Sequence, residues 1–305
     1  MNMNNLRKGF FTVLAFVAIA FCGQAVAQSD DAEELKLAAL EALIAAPDER
    51  ALPLAIKALQ GNHSDEVKSR ALFILSQIDL PEAQDVLIDT ARQGSGEIRL
   101  QAIRMIGIGG NPNALTQLGG LYDAGDGDVR EAVLQAFMIA NDKDAIYELA
   151  VSAHAAGNMD DFEHAVQLLG AIGAQDQLQR IRENTGPSQS LIHAYAISGD
   201  AESLRAIALD ASDTEMQIEA IRALGIVGSD AVNATLMEIY KSSDSDEIND
   251  AALHGMLIAG YDEGVLELYR SSQDPTEKRK LLEFLVIMGS DDVWDVIDSA
   301  LDGGF

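Results

Sequence analysis

Read as a string of apolar and polar positions, the chain repeats itself. The block Ala102-Ile103-Arg104-Met105-Ile106-Gly107-Ile108-Gly109-Gly110 is closely matched by Ala220-Ile221-Arg222-Ala223-Leu224-Gly225-Ile226-Val227-Gly228. Both read as the end of an apolar helix halted by glycine. With the first residue of the block as an anchor, equivalent anchors fall at Leu40, Ala71, Ala102, Val133, Ala165, Leu191, Ala220, Ala252 and Leu281. A period near 30 residues held over nine units marks a repeat architecture.

Three columns define the unit. Eight residues after each anchor stand Asp48, Asp79, Gly110, Asn141, Gly173, Gly199, Gly228, Gly260 and Gly289. Gly, Asn and Asp tolerate the left-handed backbone with which helices end, so this column predicts helix C-caps. One and four residues after the anchor the side chains are large and apolar, as in Leu72 and Leu75, Ile103 and Ile106, or Ile221 and Leu224. Positions three apart share a helix face, so these columns predict the buried side. Five after the anchor the residues are mostly small (Ser76, Gly107, Gly170, Ala196, Gly225), which predicts close approach of the next helix, although Met138 and Leu257 break the trend. Between each cap and the next anchor lies a second apolar stretch, such as Ala83–Ala91 or Ala231–Tyr240, followed by a turn rich in Asp, Ser and Gly. Each unit thus reads helix, turn, helix, turn. No sustained two-residue alternation appears, which argues against strands.

The first residues break the pattern and read as an address. Arg7 and Lys8 precede an apolar run from Gly9 to Phe21, and Ala25-Val26-Ala27 is a small-x-small cleavage site. Residues 1–27 are therefore expected to be a cleavable signal peptide, with 28–32 a short linker and 33–302 the repeat array. An uncleaved anchor is the competing reading, since 19 residues just span a bilayer. Cys22 follows Phe21, a poor fit to a lipid-attachment site. Cleavage would leave the chain without cysteine, which suits an oxidising compartment, and a periplasmic or secreted bacterial location is expected, the periplasm first.

Charge narrows the partners. Of 305 residues, 21 are Lys or Arg and 49 are Asp or Glu, for a net charge of −28. Loss of Arg7 and Lys8 with the signal makes it −30. Such a chain repels nucleic acid and anionic membranes, so neither is an expected partner once the signal is gone.

The pattern Asp-x-x-Val-Arg-x-x-Ala followed by apolar residues and glycines resembles HEAT repeats, in particular the short phycobilisome-lyase-type HEAT-like repeat. It is carried by Asp65, Val67, Lys68 and Ala71, by Ile98, Arg99 and Ala102, and by Asp128, Val129, Arg130 and Val133. The resemblance covers about residues 33–301. It implies an all-α fold, an α-solenoid of about nine HEAT-like helical pairs, with the second helix of each pair lining a concave surface. It also implies that Lys68, Arg99 and Arg130 pair with capping Asp residues. The unit at Leu191 departs most: its spacing shrinks to 26, and Gly186-Pro187 stands where a helix should begin, predicting a shortened or bent unit. Tetratricopeptide and ankyrin signatures are missing.

Two residues after the anchor lies the column Phe73, Arg104, Gln135, Gln167, His193, Arg222, His254 and Glu283. It is polar in seven of eight units yet sits between apolar columns, so it should project outward as a stripe. We expect a protein or peptide partner on this face, with Phe73, Arg104, Arg130, Tyr195, Arg222 and His254 as contact residues, because Arg forks suit carboxylates and aromatic rings supply area.

Other chemistry is weaker. Asp123–Asp128 and Asp244–Glu247 are acid-rich, but neither has the spacing of a calcium loop, and such residues are ordinary N-caps. No His-Glu-x-x-His, Gly-x-Ser-x-Gly or phosphate loop occurs. His164, His193 and His254 lie at or near the stripe, where packed or solvated roles are the simpler expectation. No metal and no cofactor is expected. Some members of the resembled family act on bilin chromophores, but a repeat is a scaffold rather than a site. The expectation is a non-catalytic scaffold or adaptor; a lyase-like or chromophore-handling protein and a membrane-tethered sensor arm are the alternatives.

Overall fold

The computed structural model describes residues 31–210, 212–290 and 292–301. The expected signal peptide at 1–27 lies outside the described residues, as do 28–30 of the linker. All regular structure among the described residues is helical. The chain divides between Ala140 and Asn141 into two compact units.

The first unit contains α1 (31–43), α2 (Asp48–Gln60), α3 (Asp65–Gln77), α4 (Pro81–Gln93), α5 (Gly96–Gly109), α6 (Pro112–Thr116), α7 (Leu118–Ala124) and α8 (Gly127–Ile139). The second contains α9 (Lys143–Ala155), α10 (Met159–Ala171), α11 (Gln175–Thr185), α12 (Gln189–Ser198), α13 (Ala201–Ala208), α14 (Thr214–Val227), α15 (Asp230–Ser242), α16 (Asp246–Ala259), α17 (Asp262–Ser271), α18 (Pro275–Met288) and α19 (Val293–Leu301). The nine anchors fall on α1, α3, α5, α8, α10, α12, α14, α16 and α18. Each is followed by a partner helix, which in one repeat is split at Gln117 into α6 and α7.

Within each unit the anchor helices pack side by side: α3 on α5 and α5 on α8 in the first, and α10, α12, α14, α16 and α18 in succession in the second. Partner helices pack against them, as α4 does on α5 and α15 on α16. Each unit is therefore a run of all-α solenoid, in which one pair supplies the core that its neighbour lacks. The columns one and four after the anchor form that core. Leu72, Ile103, Ile221, Leu253, Leu75, Ile106, Leu224 and Leu285 are completely inaccessible to solvent. Leu282, in the last anchor helix, is only half-buried.

The helix starts explain the acidic turns. Asp126 accepts from the Val129 N–H at 3.0 Å and opens α8, Asp213 does so for Met216 at 3.1 Å, and Ser245 caps α16 through Ile248. The acid-rich segments 123–128 and 244–247 thus contribute N-caps. The helix ends use the left-handed residues. Gly110, Asn141, Gly173, Gly199, Gly228, Gly260 and Gly289 all have positive φ, between 54° and 71°. At Gly199 the following N–H, that of Asp200, reaches back to the Tyr195 carbonyl at 2.8 Å, and Tyr261 and Ser290 do the same after Gly260 and Gly289. These are Schellman closures, which satisfy carbonyls left over at the helix end.

Asp48 and Asp79 correct the sequence reading, since neither is a left-handed cap. Asp48 is the first residue of α2, and its carboxylate accepts the Asp79 N–H at 3.2 Å, tying one repeat to the next. The unit at Leu191 is short: α12 has 10 residues and α13 has 8, after α11 ends at Gly186 with φ 82°.

Candidate partner-binding face

The close packing of anchor helices is built into two columns. A Cβ placed on Gly107 would lie 2.5 Å from the Ala136 carbonyl oxygen of α8. On Gly170 it would lie 2.8 Å from the Ala194 Cα of α12, and on Gly225 2.4 Å from the Gly255 oxygen of α16. In each case the residue five after one anchor meets the residue three after the next. This shared register fixes which side of the paired helices α5 and α8, α10 and α12, and α14 and α16 is left uncovered.

The uncovered side carries the column two after the anchor. Gln167, His193, Arg222, His254 and Glu283 are exposed, and Phe73, Arg104 and Gln135 are half-buried. Arg104 is held by Glu97 of its own helix at 2.8 Å, and Arg222 by Glu219 at 2.9 Å. Both pairs are solvent-accessible and therefore weakly held, so each guanidinium retains donors for a partner. The His254 ring packs edge-on against Phe284 with centroids 5.3 Å apart, and its Nδ1 lies 2.8 Å from the Asp250 carbonyl.

Two expected contact residues belong elsewhere. Tyr195 is fully buried, and its hydroxyl donates to the Leu178 carbonyl at 3.1 Å. Burial pushes its pKa up to about 12. It stands four after its anchor, in the core column, and is a structural residue. Arg130 is half-buried and donates to the Gly125 carbonyl at 2.8 Å. Other members of its column, three before the anchor, bond in the same way. Arg99 donates to the Ala91 carbonyl at 3.0 Å, Gln217 to the Ala208 carbonyl at 2.9 Å, and Asn249 to the Ser243 carbonyl at 3.3 Å. The column closes the C-terminal end of the preceding partner helix. The carbonyl, rather than only a capping Asp as the resemblance implied, is its target.

What the sequence reading missed is the column six after the anchor. It holds Ile108 and Ile139 in the first unit and Ile197, Ile226, Ile258 and Ile287 in the second, and their exposure runs from 41% to 68%. With Val286 they make up half of the fourteen large apolar side chains left in water among the described residues. A separation of four residues puts each isoleucine one turn from the outward residue of its own helix: Arg104 with Ile108, His193 with Ile197, Arg222 with Ile226, His254 with Ile258. Within each unit the face sets isoleucines beside polar residues, with Gln77 in α3 and Ala171 in α10 at the isoleucine position. That four-residue offset was visible in the sequence, but an isoleucine in an apolar helix reads as core until its burial is known.

Residues 52–138 match the family model of HEAT repeats. That segment of the first unit therefore carries HEAT repeats. Among solved structures, the chain is similar to the complex of CpcE and CpcF of phycocyanin lyase from Nostoc sp. PCC7120, with 20% identity over 83% of this chain and 94% of that one, at a TM-score of 0.28. Comparison with curated proteins finds no match. Among the described residues, no three His, Cys, Asp or Glu side chains are grouped as a metal ion would need, and no helix is long and apolar enough to cross a membrane.

Proposed function

We propose that this HEAT-repeat protein is an exported, non-catalytic scaffold or adaptor that binds a protein or peptide partner on the uncovered face of its anchor helices, the side that the family resemblance makes concave. One observation carries this reading. Outward residues and half-exposed isoleucines recur at the same two positions of successive anchor helices, whereas structural need would bury isoleucine. The leader-like residues 1–27 support export, with the periplasm as destination. The net charge of −28 supports partners other than nucleic acid or anionic membrane.

The test is site-specific photo-crosslinking in the native cell. A crosslinker in place of Arg222 or Arg104 should capture one discrete partner, and one in place of Glu202, exposed on α13, should not. Charge reversal at Arg104 and Arg222 should lower recovery of that partner. Equal capture from both faces, or none, would overturn the reading. Fractionation showing an unprocessed cytoplasmic chain would overturn export.

A further inference from the structure

The isoleucine row of the second unit says what kind of partner fits it. Ile197, Ile226, Ile258 and Ile287 stand in the last turns of α12, α14, α16 and α18, four anchor helices in sequence order. They are 63%, 63%, 53% and 68% exposed. Packed helices lie about 8–10 Å apart, so the row presents a methyl-rich rung at about that interval. A second row runs beside it. Past each helix end come Asp200, Asp230, Asp262 and Asp292, three to five residues beyond the isoleucine, with Glu263 next to Asp262. Asp230, Glu263 and Asp292 are exposed, and Asp200 and Asp262 are half-buried. None of the five makes an ion pair with a Lys or Arg among the described residues. The C-termini of the four anchor helices bring negative dipole ends, while the N-termini of α13, α15 and α17 begin at the Asp row and offset part of its charge. The site is an apolar ladder edged by carboxylates without an ion-pair partner, of which Asp200 also caps α13 by accepting the Ser203 N–H at 3.0 Å.

Deepening the scaffold reading, on which this rests, we propose that the ladder docks a basic amphipathic α-helix of a partner protein, lying across the four anchor helices. Rung spacing, backbone satisfaction and charge select a helix. A helix advances 1.5 Å per residue, so apolar residues seven apart recur every ~10.5 Å, matching the rungs. An extended segment would bring unpaired N–H and C=O groups onto a row that offers only methyls, whereas a helix satisfies its own backbone. Lys and Arg flanking the apolar stripe meet the Asp row, and the −28 charge of the whole chain steers them in. Crossing three intervals requires a helix of roughly 16–20 residues.

The probe is a fluorescein-labelled 21-residue helix-forming peptide with leucine at every seventh position and the fourth between, lysines flanking that stripe, and alanine and glutamine elsewhere. Its control is a scramble of the same composition without the period. Fluorescence anisotropy with the full chain at physiological salt should show the patterned peptide binding at least about tenfold tighter than the scramble. Ile226→Asp with Ile258→Asp should remove that difference; if this pair unfolds by circular dichroism, Ile226→Gln with Ile258→Gln replaces it. Asp230→Asn with Asp262→Asn should weaken binding and flatten its salt dependence. Equal binding of patterned and scrambled peptides, or undiminished binding to a folded ladder variant, overturns the proposal. If the peptide fails while the crosslinker at Arg222 still captures a partner, the helical occupant is wrong and the scaffold stands; if both fail, the scaffold reading falls with it.

Discussion

Gly225 and Gly255 meet backbone to backbone: a Cβ on Gly225 would sit 2.4 Å from the Gly255 carbonyl oxygen and 2.9 Å from its Cα. Two consecutive anchor helices, α14 and α16, are in contact at a point where neither has a side chain. Such a contact cannot be relieved by a rotamer change, so the helices themselves must separate to admit a methyl group.

Gly225→Ala is therefore expected to destabilise the second unit by about 1–3 kcal/mol, as overpacking does. Gly119, in α7, would meet nothing within 4 Å of an added Cβ. Gly119→Ala should be neutral or stabilise by up to about 1 kcal/mol through helix propensity. Urea unfolding of the two variants checks the pair; equal effects would refute the packing argument.

Helix ends give a second contrast. Gly260 has φ 67° with open space around it, so Gly260→Ala should cost about 1 kcal/mol from backbone strain alone. Asn141 adopts φ 55° without being glycine. Asn141→Gly should be neutral to stabilising, by less than about 1 kcal/mol. Thermal melts followed by circular dichroism read both.

Tyr195 supplies a pH signature. Its folded pKa stands at about 12 against an ordinary 10.0, because burial disfavours the phenolate. Between those values the unfolded chain has released a proton that the folded chain still holds. The stabilisation is complete below pH 10 and is lost as pH rises from 10 to about 12. Tyr195→Phe should flatten that part of the stability profile. Below pH 10 it should cost about 1 kcal/mol for the hydrogen bond to Leu178. Denaturation midpoints across this pH range test it.

Salt should stabilise the protein. Arg70–Glu41 and Arg205–Glu238 are exposed pairs at 3.2 Å, worth little each. The repulsion implied by a charge of −28 is larger and is screened within about 8 Å at physiological ionic strength. The melting temperature should rise from low salt to physiological salt. A fall would mean that the pairs outweigh the repulsion.

The period, the anchor helices and seven left-handed helix ends were legible because each depends on a residue type at a fixed place in the repeat. Asp48 misled because Asp suits both a helix end and a helix start, and only the register of α2 separates the two; Asp79 lies in the turn between α3 and α4, where Asp48 holds its N–H. Tyr195 misled because its aromatic ring was read as contact area for a partner, although its column was already apolar; the Leu178 carbonyl satisfies its hydroxyl inside. Arg130 looked like scarce positive charge for a partner, whereas its geometry serves the Gly125 carbonyl. The isoleucine row stayed hidden for the opposite reason, since hydrophobicity alone does not say which side of a helix is covered.

The links between repeats have a further consequence for how the chain reaches its fold. Glu33 meets Ser64, Asp48 meets Asp79, Asp144 meets Arg180, and Tyr240 meets Glu277, so each bond bridges 31 to 37 residues. A newly synthesised repeat waits for only its next neighbour before its polar and apolar groups are satisfied. The entropy of loop closure is then nearly constant along the chain rather than growing with length. Assembly can proceed like a zipper, starting from any adjacent pair, and a chain threaded end-first through a narrow channel could fold behind itself as it emerged.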